Sequence, residues 1–200
     1  MTETPDAQSR IREDLDRLAR SRRVRFCTAF VLCLALGLGL GFGLGRAQAQ
    51  VDPGRFAMLI ATLCGVGGLS LALVFGLVFP AERSLRVLVA VLVTVGLVAI
   101  LGVASESASP QAVGLHCLLE GSELTFVALV VVLVLGRGGR LRRHGPQSVL
   151  LGLGAAFCTL PMLQLACPDR SLGHLLLWHG GVLVLGIVLA DVLRRLLRDD

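Results

Sequence analysis

The absence of charge over long runs constrains this chain more than any other feature. Phe26 to Gly45, Phe56 to Ala81, Val87 to Ser105, Gly145 to Pro168 and Ser171 to Ala190 each lack Asp, Glu and Arg, and the chain has no lysine. A hydrocarbon core about 30 Å thick is crossed by about 20 apolar residues of helix. These runs meet that length. A further run, Ala112 to Gly136, is apolar except for Glu120 and Glu123. None of them alternates with period two, as a membrane β-barrel strand must. The expected fold is all-α: a polytopic membrane bundle of six transmembrane helices over residues 26–200, with residues 1–25 as a cytoplasmic N-terminal segment. The first run reads as a retained anchor. A cleavable signal has a short basic region and a core of about 7–15 residues, whereas here a long charged segment precedes a full-length span.

The placement of arginine sets the orientation. Arg10, Arg12, Arg17, Arg20, Arg22, Arg23 and Arg25 precede the first run; Arg83 and Arg86 follow the second; Arg137, Arg140, Arg142 and Arg143 follow the fourth; Arg194, Arg195 and Arg198 close the chain. The alternate loops hold only Arg46 and Arg55, none in "SESASPQ", and Arg170. Short basic loops stay cytoplasmic. The expected protein is multi-pass in a bacterial inner membrane, both termini cytoplasmic, with the lipid bilayer as its main partner. Topology accounts for the net charge of +5, so no direct nucleic-acid contact is expected.

Residues 1 to 8 are polar and read as disordered. From Ser9, a candidate cap, Ile11, Leu15 and Leu18 fall at i, i+4 and i+7 on one face of a helix of about four turns. Such a helix is marginal alone in water, so it should rest on something. Either it lies on the inner leaflet through its arginines or it docks a cytoplasmic partner. Glu13, Asp14 and Asp16 weigh against adsorption to anionic lipid. In the first span, Gly37, Gly41 and Gly45, with Gly39 and Gly43, carry the four-residue spacing that lets helices approach closely in lipid. "GVGGLS" and "GLGAAF" suit the same packing. Short loops predict that each helix lies antiparallel beside the next.

Two polar stretches fall near the outer face. In "LHCLLEGSEL", His116, Glu120 and Glu123 share a helical face and Cys117 adjoins His116. In "CPDRSLGHLLLWHGG", Pro168 is expected to end one helix and Asp169 and Ser171 to start the next. On a regular helix His174 and Trp178 share a face and His179 points elsewhere. A carboxylate two turns below the surface costs about 2.5–3.5 kcal/mol by insertion scales. Glu120 is therefore expected to point into the bundle, toward His116, His174, His179, Ser122 or Thr125. Cys27, Cys33, Cys64 and Cys158 sit within spans as small hydrophobes. For Cys117 and Cys167 three readings stand: a disulfide or redox pair, a metal site with His116, Glu120 or His174, or unpaired filler. No HExxH or CxxC is present. His144, in a cytoplasmic loop, reads as inert.

The six-span layout, the charged N-terminal helix and the motif of Cys167, Pro168 and Asp169 followed by His174 and Trp178 resemble the NrsF family of bacterial membrane anti-sigma factors. The resemblance implies a protein that holds a cytoplasmic sigma factor through its N-terminal segment. It implies stress sensing through outward-facing cysteines, with Cys117 as the natural second one. The expected function is a non-enzymatic regulator without a cofactor, sensing through Cys117, Cys167, His116 and His174. A thiol–disulfide–quinone oxidoreductase is the alternative, and a small transporter using Glu120 and Glu123 a third. The stimulus and the oligomeric state are not legible in the sequence.

Overall fold

The computed structural model describes residues 5–44, 53–77, 82–102, 104, 111–136, 146–167 and 169–197. Arg46, Arg137, Arg140, Arg142, Arg143, His144, Pro168 and Arg198, used in the reading above, lie outside these residues, as do Gly45 and most of "SESASPQ". The described elements are all helical: α1 (Pro5–Leu44), α2 (Pro53–Val74), α3 (Glu82–Leu101), α4 (Gln111–Gly136), α5 (Pro146–Ala166), α6 (Leu172–His174) and α7 (Gly180–Leu196), the last two joined by a π-helical turn (Leu175–His179). Pro5, Pro53 and Pro146 each stand at the first position of their helix, where the missing N–H costs nothing. Gly76, the one described residue with positive φ (66°), ends α2. Its N–H donates to Leu73 O at 3.2 Å and that of Leu77 to Ala72 O at 2.9 Å, satisfying carbonyls the helix leaves open.

Five helical stretches are long and apolar enough to cross a membrane: Pro53–Val74, Ser84–Leu101, Gly114–Gly136, Gln147–Ala166 and Leu172–Leu196. Val87, Val98, Leu119, Val134, Leu177 and Val184 are exposed along them. Apolar surface on this scale is what a protein presents to lipid rather than to water. The remaining apolar run, from Phe26, forms the second half of α1.

The continuity of α1 corrects the expectation of a separate N-terminal helix. It runs 40 residues without interruption, and Ser9 lies inside it rather than capping it. The join "SRRVR" holds neither proline nor glycine and three good helix formers, so nothing in it breaks the helix. Ile11, Leu15 and Leu18 remain 54%, 61% and 56% exposed. The stripe rests on no other part of the described chain.

α5 is the axis of the bundle. It is buried on nearly every side, and α1, α2, α4 and α7 all pack on it. Phe157, Leu160 and Leu163 on α5 are essentially inaccessible. α3 lies outermost, against α2 and α5. Sequential neighbours thus pair less strictly than short loops predict: α1 packs mainly on α5 and α4 and only lightly on α2. The cause is shape. A Cβ placed at Gly37 would run into the carbonyl oxygen of Cys158, so the missing side chain is what lets the α1 and α5 backbones touch. Gly152 meets the backbone of Gly186 and Ile187 in the same way. Gly39 faces open space, so of these two glycines Gly37 alone serves the α5 contact. Between α4 and α5, Thr125 Oγ1 and Thr159 Oγ1 share a hydrogen bond of 3.0 Å in the buried core.

Candidate functional site

α5 ends at Ala166, and Cys167 follows with its N–H still bonded to Leu163 O at 2.8 Å. The chain then reverses. Asp169 Oδ1 accepts from the N–H of Ser171 at 2.8 Å, and Ser171 Oγ caps α6 by accepting from the N–H of His174 at 3.3 Å. The expected start of the last span is therefore present. This turn is buried: Asp169 is 3% and Arg170 4% exposed. The guanidinium lies 5.9 Å over the Phe56 ring, and burial lowers its pKa.

Three of the four residues read as a sensing set converge here. Cys117 Sγ lies 3.1 Å from Cys167 Sγ. Cys167 Sγ lies 3.1 Å from His174 Nε2, and His174 Nδ1 lies 3.1 Å from Asp169 Oδ2. The thiol contact is longer than the roughly 2.05 Å of a disulfide bond, and both cysteines are free. The Cys117 hydrogen bond holds the Cys167 thiol below its ordinary value, against the opposing effect of burial.

His116 does not join them. It turns outward with Glu120, its Nε2 lying 2.9 Å from Glu120 Oε1 across an i, i+4 step, with side chains 73% and 34% exposed. Glu120 thus finds a partner, but on the outer face of α4 rather than inside the bundle. Glu123 is exposed as well. Neither His116 nor Glu120 reaches the cysteines as a metal candidate; of the three candidates named from the sequence, His174 alone does. On a helix, one residue step turns the side chain by about 100°. The inward position of Cys117 therefore carries His116 away from it.

His179 takes the place His116 was expected to fill. A regular helix would separate His174 and His179 by about 140°. The π-helical turn Leu175–His179 changes that. Its i→i+5 bonding, seen where the N–H of Gly180 reaches Leu175 O, brings residues five apart onto one side. The two imidazoles meet edge to face with centroids 5.4 Å apart. His179 is fully buried; its Nδ1 lies 2.9 Å from Gln164 Nε2, and its Nε2 has no hydrogen-bond partner. One ligand atom from each of Cys117, Cys167, His174 and His179 lies within 4.8 Å of every other. Trp178 packs over Gly114, where a Cβ would collide with the indole, fixing the last span against the start of α4. Gln164 and Arg170 were not singled out from the sequence; a lone amide and a loop arginine carry no pattern there.

Compared with known proteins, the chain matches no family model, no curated protein and no solved structure.

Proposed function

We propose that this chain is a membrane-embedded negative regulator of the anti-sigma-factor kind. In this reading it sits in a bacterial inner membrane with both termini in the cytoplasm. The cluster of Cys117, Cys167, His174 and His179 lies at the outer face and registers a stimulus there. Residues 9–25 hold a cytoplasmic sigma factor through Ile11, Leu15 and Leu18.

The observation that carries the proposal is the unbroken α1. The same helix bears the exposed apolar stripe at one end and packs on α5 at the other. α5 in turn ends one residue before Cys167. A change of bonding at the cluster repositions the end of α5, and α5 bears directly on α1. Rigid packed helices carry displacement of this kind because close-packed interiors do not absorb it. The mixed charge of Arg12, Glu13, Asp14, Asp16 and Arg17 around the stripe suits a protein surface better than an anionic leaflet.

The test is capture by the full-length chain. Membranes carrying it should co-purify a sigma factor. Leu15→Asp, at a position 61% exposed, should lose that capture at least tenfold with unchanged membrane insertion. Undiminished capture by Leu15→Asp, or no sigma factor with the wild-type chain, overturns the reading.

A further inference from the structure

Four buried donors at one point, two thiols and two imidazoles, form an ion-ligand set rather than a packing cluster. We propose that Cys117, Cys167, His174 and His179 bind one divalent thiophilic cation of the Zn2+ class. This names the ligand of the sensing cluster, and it rests on the regulator reading only for its consequence in the cytoplasm.

The spacing of the ligand atoms is compatible with a tetrahedral site. Zn–S bonds of about 2.3 Å and Zn–N bonds of about 2.0–2.1 Å put tetrahedral ligand atoms about 3.3–3.8 Å apart. Here the two sulfurs are 3.1 Å apart, Cys167 Sγ and His174 Nε2 are also 3.1 Å apart, and the remaining pairs fall within 4.8 Å. Shifts of about an ångström complete the tetrahedron. The ligands come from α4, the end of α5 and the last span, so the ion ties three spans together.

The surroundings fit a ligand set as well. A metal-bound imidazole characteristically donates its other ring N–H to a carboxylate, a carbonyl oxygen or water. His174 offers Nδ1 to Asp169 at 3.1 Å. His179 Nδ1 faces the side-chain amide nitrogen of Gln164 at 2.9 Å; turning that amide over exchanges its Nε2 and Oε1 and lets the Nδ1–H donate to Oε1. That leaves the Nε2 atom of each ring for the ion. His179 Nε2 is the atom left without a hydrogen bond in a fully buried side chain. An orphaned buried polar atom is costly unless something binds it.

Charge selects the class of ion. Both sulfurs bind as thiolates, any thiol proton still present goes to solvent, and the two thiolate charges neutralise a dication. The carboxylate of Asp169 and the guanidinium of Arg170, both buried beside the site, balance each other. A monovalent soft ion such as Cu+ would leave one uncompensated negative charge in a low-dielectric setting, which is unfavourable.

The experiment uses the full-length chain, purified reduced in detergent, stripped with chelator and reloaded with Zn2+. Elemental analysis should find one Zn2+ per chain after desalting, and Co2+ should give the intense visible bands of a tetrahedral thiolate site. Cys117→Ser and His179→Gln should lose the metal. Asp169→Asn should weaken binding 10–100-fold, and His116→Ala should bind as wild type. Should a variant fail to fold by circular dichroism, the wild-type chain still decides. Bound Zn2+ must slow alkylation of Cys117 and Cys167 at least tenfold. Equal alkylation rates with and without Zn2+, no stoichiometric Zn2+ on the folded reduced chain, or retention of Cu+ alone overturns the proposal. So does a chain isolated two hydrogens lighter that refuses Zn2+ after reduction. Zn2+ binding without sigma-factor capture would sink the regulator reading and leave the metal site standing; capture without Zn2+ binding would do the reverse.

Discussion

Gly37→Ala and Gly39→Ala form a matched pair that isolates the α1–α5 seam. Both substitutions add one methyl group to the same helix, and both improve helix propensity by up to about 1 kcal/mol. Their surroundings differ. At Gly39 the new Cβ meets nothing within 4 Å, so only the propensity gain remains. At Gly37 it meets the Cys158 carbonyl oxygen and lies 3.1 Å from Thr159 Cα. Both obstacles are backbone of α5, which cannot rotate aside. Overpacking of a tight contact costs about 1–3 kcal/mol. The propensity gain offsets part of this and leaves Gly37→Ala about 1–2 kcal/mol less stable. For a chain of this length that corresponds to a Tm lower by roughly 2–8 °C, with Gly39→Ala unchanged or slightly higher. Thermal unfolding in detergent followed by far-ultraviolet circular dichroism measures both. A Gly37→Ala chain at least as stable as Gly39→Ala would refute the direct backbone contact and the route from α5 to α1.

Gly114→Val should displace Trp178, whose indole occupies the space of the missing side chain. As the chain's one tryptophan, it should report the change as a shift in fluorescence emission, and an unshifted spectrum would contradict the contact. Thr125→Val should cost only about 0.5–1.5 kcal/mol, within the range of interhelical hydrogen bonds in membranes. Thr159 Oγ1 keeps its bonds to Ala155 O and Ala156 O at 3.2 and 3.1 Å. A loss beyond about 3 kcal/mol would show that the hydroxyl pair carries more of the core than this.

Uncharged runs marked in the sequence the five helices long and apolar enough to cross a membrane, because a bilayer tolerates no unpaired charge; the sixth expected span, from Phe26, is instead the second half of α1. Cys117, Cys167 and His174 were also legible, since topology put all three at one depth. His179 was not. Its position depends on a single π-helical turn, and nothing in "LLLWH" distinguishes that turn from regular helix. His116 and Cys117 adjoin in sequence, and adjacency suggested a shared site. On a helix it means divergence by about 100°, and burial chose the cysteine. Glu120 illustrates a similar limit. The cost of a carboxylate in lipid demands a partner, but says nothing about which side of the helix supplies it. The outward His116 sufficed. The length of α1 was hidden because amphipathic and apolar halves read as two objects, while the backbone between them has no reason to break.

In the regulator proposed above, the cluster of Cys117, Cys167, His174 and His179 and the N-terminal helix are coupled. The direct measurement is the affinity of the full-length chain for the sigma factor proposed as its partner, made with the cluster intact and again after Cys117 and Cys167 have been alkylated. Helical content is checked in both states. Allosteric couplings of about 1–3 kcal/mol correspond to about 5–150-fold in affinity. The expected result is a change of at least fivefold between the two states. Equal affinities, with the fold intact in both, would contradict it.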